Sequence, residues 1–414
     1  MESLAADEMI VKQTPTSAQA GLITTPIHRR SCMCPPGPVS ELSADCPTQR
    51  FVVNTDPIVV RTPLGVWGTG AALPGAPLTT VDLIRRTSEY LPTGTPGLAL
   101  RIARRLGITR RHMVRSFDAP QEAPRALDTA PKLAARAVCA ALADVRGGVD
   151  ALRLLVGHTA TPHTLLPGNA AWVADELAYI GAHVELRQAC TGFAAATMLC
   201  AGLVSSGTQP IAIVGSETGS VFLDPRRVAV DRTQLVNLLQ MGDGAGAIVL
   251  GPLESRSSAR LEMAFYGNCA DHRAPGISLI EGGSGAPLVN ATGVPHFTHD
   301  VESVRTHGLE LLRAGLRAAI QAGVAPDSVD WWIPHPANGH MAQYTATSLG
   351  LPADKVVCEA GVLGNLGSAA IWVTLDRLRR SGRLAPGDRV MVLGAEASKY
   401  MYGGFLYVHG TTVA

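Results

Sequence analysis

Three residues of this sequence have side chains suited to acyl chemistry, and each lies at a turn between apolar segments. The first, Cys190, follows a short strand-like run and precedes small apolar residues at 191–205, whose helical propensity predicts a helix. A thiol at a helix N-terminus faces unpaired N–H groups and the positive end of the helix dipole, and both favour the nucleophilic thiolate. The alternative for Cys190 is a small buried apolar side chain, the usual role of a free cysteine.

The other two residues are His335 and Asn365. An imidazole and a carboxamide both donate hydrogen bonds, so together they could stabilise the oxyanion or enolate that forms when a second thioester reacts with an acylated cysteine. Taken alone, His335 is equally compatible with a capping or core histidine, and Asn365 after a glycine is typical of an ordinary turn. The combination, rather than any single residue, predicts thioester chemistry.

The elements that must position these residues occur twice in the chain. Each half has an apolar strand ending in histidine, a helix start bearing a polar residue, and a strand ending in glycine-x-glutamate. The repeated positions pair as His158 with His335, Cys190 with Asn365, and Glu217 with Glu396. From the histidine to the helix start is 32 residues in the first half and 30 in the second. This repeated strand–helix alternation predicts an α/β protein built by duplication, with both helix starts facing a shared centre.

The composition predicts a globular chain without a strong surface field. Of the 414 residues, 46% are hydrophobic and 17% are charged, which supports two domains or one large duplicated unit. The net charge is +1 and only 5% of residues are aromatic, so we expect neither nucleic-acid binding nor attraction to an anionic membrane. Without an apolar run long enough to span a bilayer, a visible secretory signal or a disulfide framework, the expected location is cytoplasmic.

Residues 1–55 differ from the rest, because they are rich in Thr, Pro, Ser and Gln and show no sustained periodicity. We interpret them as an N-terminal extension that is largely disordered or draped over the body. A metal site is the alternative, and its candidate ligands are His28, Cys32, Cys34 and Cys46. The Cys-Met-Cys spacing is tighter than that of usual zinc pairs, so we predict no metal site. The body divides into predicted halves at residues 56–253 and 254–414.

With these residues in order, the body resembles the thiolase fold and, more closely, the ketoacyl-ACP synthase III condensing enzymes of the thiolase superfamily. The resemblance covers roughly residues 57–410 and rests on Ala189-Cys190-Thr191-Gly192-Phe193, Pro334-His335-Pro336-Ala337-Asn338, Gly364-Asn365, the stretch 106–112 and the turn 242–246. It implies duplicated βαβαβαββ halves in a five-layered αβαβα arrangement, a homodimer, and no metal or organic cofactor.

The resemblance also implies a two-stage reaction. Cys190 takes an acyl group from acyl-CoA or an acyl carrier protein, and its backbone N–H is one oxyanion donor. A malonyl-type thioester then loses carbon dioxide while His335 and Asn365 hold the enolate oxygen. The enolate carbon attacks the acyl-cysteine and releases a β-ketoacyl product, in fatty-acid or polyketide biosynthesis.

One difference from the family pattern concerns the oxyanion region. Where the family has a glycine triplet beside the nucleophile, this chain has Ala397, Ser398 and Lys399. Side chains at these positions crowd the backbone approach, so we expect a reshaped oxyanion region that includes Ser398 and Lys399.

Further differences lie at the substrate-binding positions that the resemblance implies, which are Arg101, Arg105, Arg232, Asn338 and Leu166. Arg101 replaces a tryptophan that stacks on the CoA adenine, and an arginine can still stack. Leu165-Leu166 replaces a phenylalanine that the partner subunit contributes, which leaves room for a longer or bulkier acyl group. His340 replaces a basic residue used in carrier-protein docking.

Two other functions stay open at this point. The first is transfer of the acyl group from Cys190 to a hydroxyl or amine of a small molecule, with His335 as general base. The altered glycine triplet and CoA positions favour it. The second is an inactive subunit that only pairs with a homologous enzyme, and the presence of Cys190, His335 and Asn365 together argues against it.

Overall fold

The computed structural model describes residues 56–118, 128–256, 258–269, 273–287, 293 and 295–411. The predicted extension at residues 1–55, with its four candidate metal ligands, lies outside these ranges. The strands are β1 (Ile58–Val60), β2 (Leu64–Ala72), β3 (Leu78–Thr79), β4 (Arg110–Arg111), β5 (Leu154–His158), β6 (Ala182–Leu186), β7 (Ile211–Glu217), β8 (Gly244–Gly251), β9 (Arg260–Asn268), β10 (Ile277–Ser278), β11 (Thr298–His299), β12 (Trp331–Pro334), β13 (Arg389–Glu396) and β14 (Met401–Val408). The α-helices are α1 (Thr80–Thr87), α2 (Thr95–Leu106), α3 (Ala130–Ala141), α4 (Asn169–Glu176), α5 (Gly192–Ser205), α6 (Thr233–Gln240), α7 (Val301–Gln321), α8 (Met341–Leu349), α9 (Ala360–Leu363) and α10 (Ala370–Arg380).

The large sheet consists of two half-sheets with the same strand order. The first half-sheet runs β6-β5-β7-β8-β2, and the second runs β12-β13-β14-β9. A parallel bridge between Trp332 and Val356 stands where the second half would have a strand equivalent to β6. In each half a parallel pair, β5 with β7 or β12 with β13, is followed by antiparallel neighbours. The halves join where β2 pairs with β9, so the duplication predicted from the sequence is present in the topology.

The helices complete a five-layered αβαβα arrangement. Helices α3 and α4 cover the outer face of the first half-sheet, and α7 and α8 cover the outer face of the second. Between the half-sheets lie α5, which contacts β7, β9 and β14, and α10, which contacts β8, β2 and β12. This arrangement confirms the predicted thiolase fold and places the N-terminal ends of α5 and α10 in the same central layer.

The central layer explains why α5 is apolar around most of its circumference. A helix covered on several sides must bury more than a single stripe, and α5 buries nine of its fourteen residues. Close packing also requires a glycine on the neighbouring strand, because a Cβ at Gly394 would lie 2.6 Å from the ring of Phe193. The apolar composition of α5, the helix that follows Cys190, therefore matches its buried position in the central layer.

The apolar pattern of the sequence predicts helices over residues 130–148 and 309–323, and one boundary of each differs in the structure. Helix α7 begins at Val301 rather than at residue 309, because the Asp300 side chain caps it by accepting from the N–H of Ser303 at 2.9 Å. Its first turns are largely polar and bury no residue fully, so the apolar period that marks a helix starts late. Helix α3 ends at Ala141 rather than at residue 148, and the chain continues through turns to Gly147, which has a φ of 85°.

In the part of the chain that the structure describes, every helix is too short or too polar to cross a lipid bilayer.

Candidate active site

Cys190 lies between β6 and α5, directly before Thr191, the N-cap residue of α5. The backbone N–H of Thr191 donates to Glu396 Oε2 at 2.9 Å, and its hydroxyl donates to the same oxygen at 2.7 Å. The thiol of Cys190 is free and the residue is half-buried. The first turn of this helix is thus anchored by a carboxyl group from β13, in the other half of the chain.

The expected thiolate is not what the surroundings of Cys190 favour. Burial raises the pKa of the thiol well above its usual value, and the carboxyl groups of Glu396 and Glu217 raise it further. Loss of water and like charge destabilise the anion, and the nearest N–H of α5 is already bonded to Glu396. Cys190 thus stands at a helix start, as predicted, but its surroundings oppose the thiolate that the helix start favours.

His335 follows β12, and its backbone N–H donates to the carbonyl of Leu393 on β13 at 2.8 Å. Burial lowers the pKa of the imidazole to about 4, so the ring is neutral at neutral pH. Its Nδ1 is buried and has no hydrogen-bond partner among the described residues. A neutral imidazole with an unused ring nitrogen can accept a proton or donate a hydrogen bond to a bound group.

Asn365 lies in the turn between α9 and α10, where hydrogen bonds fix both its backbone N–H and its backbone carbonyl. Its N–H donates to Gln240 at 2.8 Å, and its carbonyl accepts from Gly242 at 3.0 Å. The side-chain oxygen accepts from the N–H of Gly367 at 3.0 Å, so the amide nitrogen is the end that can donate to a ligand. Gly242, which directly precedes Asp243 and the start of β8 at Gly244, therefore helps to support Asn365.

Hydrogen bonds join the turns that carry these three residues. Ser368, in the turn of Asn365, donates to the carbonyl of Gln188 beside Cys190 at 3.2 Å. Glu396 binds Thr191 and lies on β13, next to β12, the strand that His335 follows. The turns of Cys190 and Asn365 are thus connected directly, and the turn of His335 follows the strand beside β13.

Two further residues of this region, Glu217 and His158, mark the repeat in the sequence, but no catalytic or structural role was predicted for them. Glu217 ends β7, and its carboxyl group accepts from Thr161, Ala160 and Ser368. His158 ends β5, and its Nε2 accepts from Trp372 Nε1 at 3.0 Å. The repetition of these strand ends in the second half was the sequence signal that could have identified both residues.

The predicted arginines lie on two neighbouring helices. Arg101 and Arg105 are exposed on α2, where they contribute to a shallow cavity of about 430 Å³ whose other lining residues are Leu98, Ile102 and Arg104. Arg232 is the exposed N-cap residue of α6, which packs against α2. These positions form a basic, partly apolar surface at the edge of the first half.

Asn338 and His340 are engaged in local structure. The Asn338 side-chain oxygen accepts from the N–H of His340 at 2.9 Å, which leaves its amide nitrogen for a ligand. The His340 ring packs on Gly107, where a Cβ would come within 2.7 Å of Nε2. His340 thus helps to join the second half to the end of α2.

Leu166 and Leu165 lie in the loop between β5 and α4 and are 88% and 68% exposed. Within one chain they therefore line no enclosed site.

The oxyanion region also shows how side chains fit where glycines were expected. The Ser398 hydroxyl donates to Glu396 Oε1. Lys399 is exposed, and its Nζ donates to the carbonyl of Arg273 at 3.1 Å. Tyr400, which follows, has a φ of 57°, in the left-handed region. The stretch therefore turns its polar side chains toward Glu396 or the surface.

Known families and structures agree with this architecture. The family model of 3-oxoacyl-[acyl-carrier-protein (ACP)] synthase III matches residues 184–268, and that of its C-terminal part matches residues 320–407. A 3-oxopimeloyl-[acyl-carrier-protein] synthase of Rhodothermus marinus is 33% identical over 340 residues, which are 80% of this chain and 90% of that protein.

Among solved structures, AbyA1, a tetronic acid condensing enzyme, matches with a TM-score of 0.70 and 26% identity, covering 83% of this chain and 99% of that one. The 3-oxoacyl-(acyl carrier protein) synthase III of Pseudomonas aeruginosa matches with a TM-score of 0.66 and 24% identity, covering 86% and 100%. Fold and matches together define a thiolase-superfamily condensing enzyme. The chain belongs to the 3-oxoacyl-ACP synthase III family.

Proposed function

We propose that this protein joins two thioesters by decarboxylative condensation, with Cys190 as nucleophile and His335 and Asn365 as the groups that stabilise the enolate. The observation that carries the proposal is the meeting of three turns through the Ser368–Gln188 and Thr191–Glu396 hydrogen bonds.

In the first stage Cys190 is acylated. Because its thiol has a raised pKa and His335 is neutral, the imidazole accepts the thiol proton as sulfur attacks the thioester carbonyl. The new bond joins Sγ to the acyl carbon, and the bond to the donor sulfur breaks. The donor thiolate leaves and takes up the proton. The backbone N–H of Cys190 and the stretch 397–399 supply the oxyanion donors.

In the second stage a malonyl-type thioester loses carbon dioxide. The electron pair of the broken carbon–carbon bond forms an enolate, whose oxygen accepts hydrogen bonds from the His335 ring and the Asn365 amide nitrogen. The enolate carbon then attacks the acyl group and expels Cys190 as a thiolate, which regains a proton. Each step uses thioesters and side chains only, so we propose no metal or organic cofactor.

For the substrates we propose acyl-CoA or an acyl carrier protein as donor, in fatty-acid or polyketide biosynthesis. Arg101, Arg105 and Arg232 supply positive charge suited to CoA or phosphopantetheine phosphates. The Rhodothermus marinus relative is a synthase acting at the level of an acyl carrier protein, by its name, which supports a carrier-bound acceptor here.

We further propose a homodimer and a cytoplasmic location. Strand β6 is the outermost strand of the first half-sheet, so a second copy can continue the sheet there. Apolar side chains cluster in sequence around this edge and remain exposed in a single chain, namely Leu165, Leu166, Ile180, Val184, Leu199 and Leu203. A free catalytic thiol suits a reducing compartment.

The test is intact-mass detection of acyl groups on the protein across a panel of acyl-CoA and acyl-carrier donors, followed by addition of malonyl-CoA or malonyl-carrier protein. We expect one acyl group on wild type and on Cys139→Ala, which removes an exposed thiol elsewhere, and none on Cys190→Ala. Absence of acylation on wild type across the panel would overturn the proposal.

Acyl transfer to an alcohol or amine is the second candidate, because Ala397, Ser398 and Lys399 change the family's oxyanion stretch. Acylated enzyme incubated with small alcohols and amines separates the two functions. Transfer without a malonyl donor, combined with failure to release carbon dioxide when one is supplied, favours this second function over condensation.

A further inference from the structure

Glu396 connects the nucleophile to the stretch that replaces the family's glycines. One carboxyl oxygen accepts from both the N–H and the hydroxyl of Thr191, and the other accepts from the hydroxyl of Ser398. Its side chain is buried, with 3% of the residue exposed. A single carboxyl group therefore fixes the residue after Cys190 relative to residues 397–399.

Glu217, at the equivalent place of the first half, makes the reciprocal connection. It accepts from Ala160 at 2.8 Å and Thr161 at 2.5 Å in its own half, and from Ser368 in the turn of Asn365. Ser368 is also within 3.2 Å of the Gln188 carbonyl. Each glutamate thus ends a strand in one half and binds the turn of the other half that carries a reacting residue.

These contacts are costly in two ways, which argues for a role at the site. Burial of a carboxyl group in a protein interior is unfavourable unless it is fully hydrogen-bonded. Both glutamates also raise the pKa of Cys190, which opposes formation of the nucleophile. What they supply is geometry, because an ionised carboxyl group accepts several hydrogen bonds and donates none. The hydroxyl groups of Thr191 and Ser398 therefore both point toward Glu396.

We infer that Glu396 and Glu217 are positioning residues that lock the reacting turns of the opposite halves, Glu396 holding Cys190 against the oxyanion stretch and Glu217 holding Asn365. The inference rests on the proposed function for its catalytic consequence, but the two cross-half locks themselves can be measured without any substrate. In this chain the Glu396 lock takes the place of the close backbone approach that glycines permit.

Other titratable groups also surround the Cys190 turn. They are His158 at the end of β5, whose ring packs against Gly192, Tyr266 on β9, whose hydroxyl bonds Gln188, and His335 after β12. Burial keeps both histidines neutral at neutral pH by lowering their pKa values, to about 3 for His158 and about 4 for His335, and raises the pKa of Tyr266. The charge that Glu396 contributes is therefore not offset by these neighbours.

The first experiment compares wild type with Glu396→Gln by hydrogen exchange and by the pH dependence of iodoacetamide alkylation at Cys190. We expect faster exchange in peptides covering residues 188–192 and 397–399 together, and an alkylation midpoint about one pH unit lower because one negative charge is removed. With the best acyl-CoA of the panel and malonyl-CoA, kcat should fall about tenfold or more while KM changes less than about threefold, since misplaced reacting groups cost rate rather than binding.

The reciprocal variant is Glu217→Gln, which should speed exchange around residues 365–368 in the other half. Asp376→Asn is the matched control, because Asp376 is equally buried on α10 and bonds Thr69 and Arg380 away from these turns. We expect the control to leave both turns and the alkylation midpoint unchanged.

Two variants with smaller changes test the inference if a glutamate variant does not fold. Ser398→Ala and Thr191→Val each remove one hydroxyl contact of Glu396, so we expect a lower kcat with an unmoved alkylation midpoint. Unchanged exchange across halves together with an unmoved midpoint in Glu396→Gln, or equal losses in Asp376→Asn, would overturn the inference. A wild type that is never acylated refutes the proposed function instead, and leaves the exchange and alkylation results to decide the locks.

Discussion

The two halves of this protein have the same strand order, yet their equivalent residues have different surroundings. His158 ends β5 and His335 directly follows the equivalent strand β12, and both are buried and neutral. The ring of His158 packs against Gly192 and Gly215, and its Nε2 is taken by Trp372. In both rings Nδ1 is buried without a partner in the described part of the chain, so the difference lies at Nε2, which Trp372 occupies in His158 and no described residue occupies in His335.

The difference teaches that topology decides where a reactive side chain stands, while its packing decides whether it can react. The helix starts differ in the same way, with a thiol at Cys190 and an amide donor at Asn365. In the proposed mechanism, one half supplies the nucleophile and the other supplies the two hydrogen-bond donors of the second stage.

The largest expected effect comes from removing the thiol at the helix start of the first half. Cys190→Ala should abolish acylation and lower product formation by about 10⁴-fold or more, since no other described residue at the site offers a comparable nucleophile. Intact mass and product analysis measure both quantities, with Cys139→Ala as control. Product formation by Cys190→Ala near the wild-type rate would show that Cys190 is not the nucleophile.

A second comparison sets His335 against Asn365 within the second half. Asn365→Ala should leave acylation of Cys190 within about threefold and slow condensation by about 10²–10³-fold, the usual cost of losing one oxyanion donor. His335→Ala should slow both stages, because the imidazole also accepts the thiol proton. Single-turnover rates of acylation and of acyl discharge distinguish the variants; normal condensation by Asn365→Ala contradicts its assigned role.

The pH dependence reports on both halves at once. Because burial lowers the pKa of His335 to about 4, the base stays neutral down to that pH, and acylation should decline only as pH falls through about 4 rather than 6.5. Because the pKa of Cys190 is raised, alkylation by iodoacetamide should still be rising above pH 9. A plateau of alkylation at neutral pH would show instead a resting thiolate.

The smallest effect concerns His158, the buried histidine of the first half. Trp372→Phe removes the donor to His158 and should lower the free energy of unfolding by about 1–3 kcal/mol, the cost of leaving a buried acceptor unpaired. The acylation rate should change by less than about threefold. Denaturant unfolding and acylation kinetics measure these quantities, and a large loss of rate at unchanged stability would assign His158 a direct part in the chemistry.

Much of this fold could be predicted from residues that recur at fixed spacing. The paired residues His158 and His335, and Glu217 and Glu396, indicate the duplication from sequence alone, because a repeated strand–helix unit leaves the same turn residues at the same intervals. The family resemblance then supplied the layers and the candidate roles of Cys190 and His335.

The protonation state of Cys190 could not be predicted in this way. Local sequence shows a helix start, which favours the thiolate, but the opposing carboxyl group of Glu396 arrives from a strand 205 residues beyond Thr191. Burial by the second half-sheet is equally invisible to local pattern. The start of α7 at Val301 was missed for a related reason, because its first turns are polar and only the Asp300 cap marks them.

The central claim is tested most directly by one single-turnover measurement. Enzyme acylated on Cys190 is freed of donor and mixed with malonyl-CoA or malonyl-carrier protein, and carbon dioxide is counted against the acyl groups lost from the cysteine. The account predicts one carbon dioxide and one β-ketoacyl product for each acyl group discharged. Discharge without carbon dioxide, or an acyl-cysteine that persists with every malonyl donor, would contradict it.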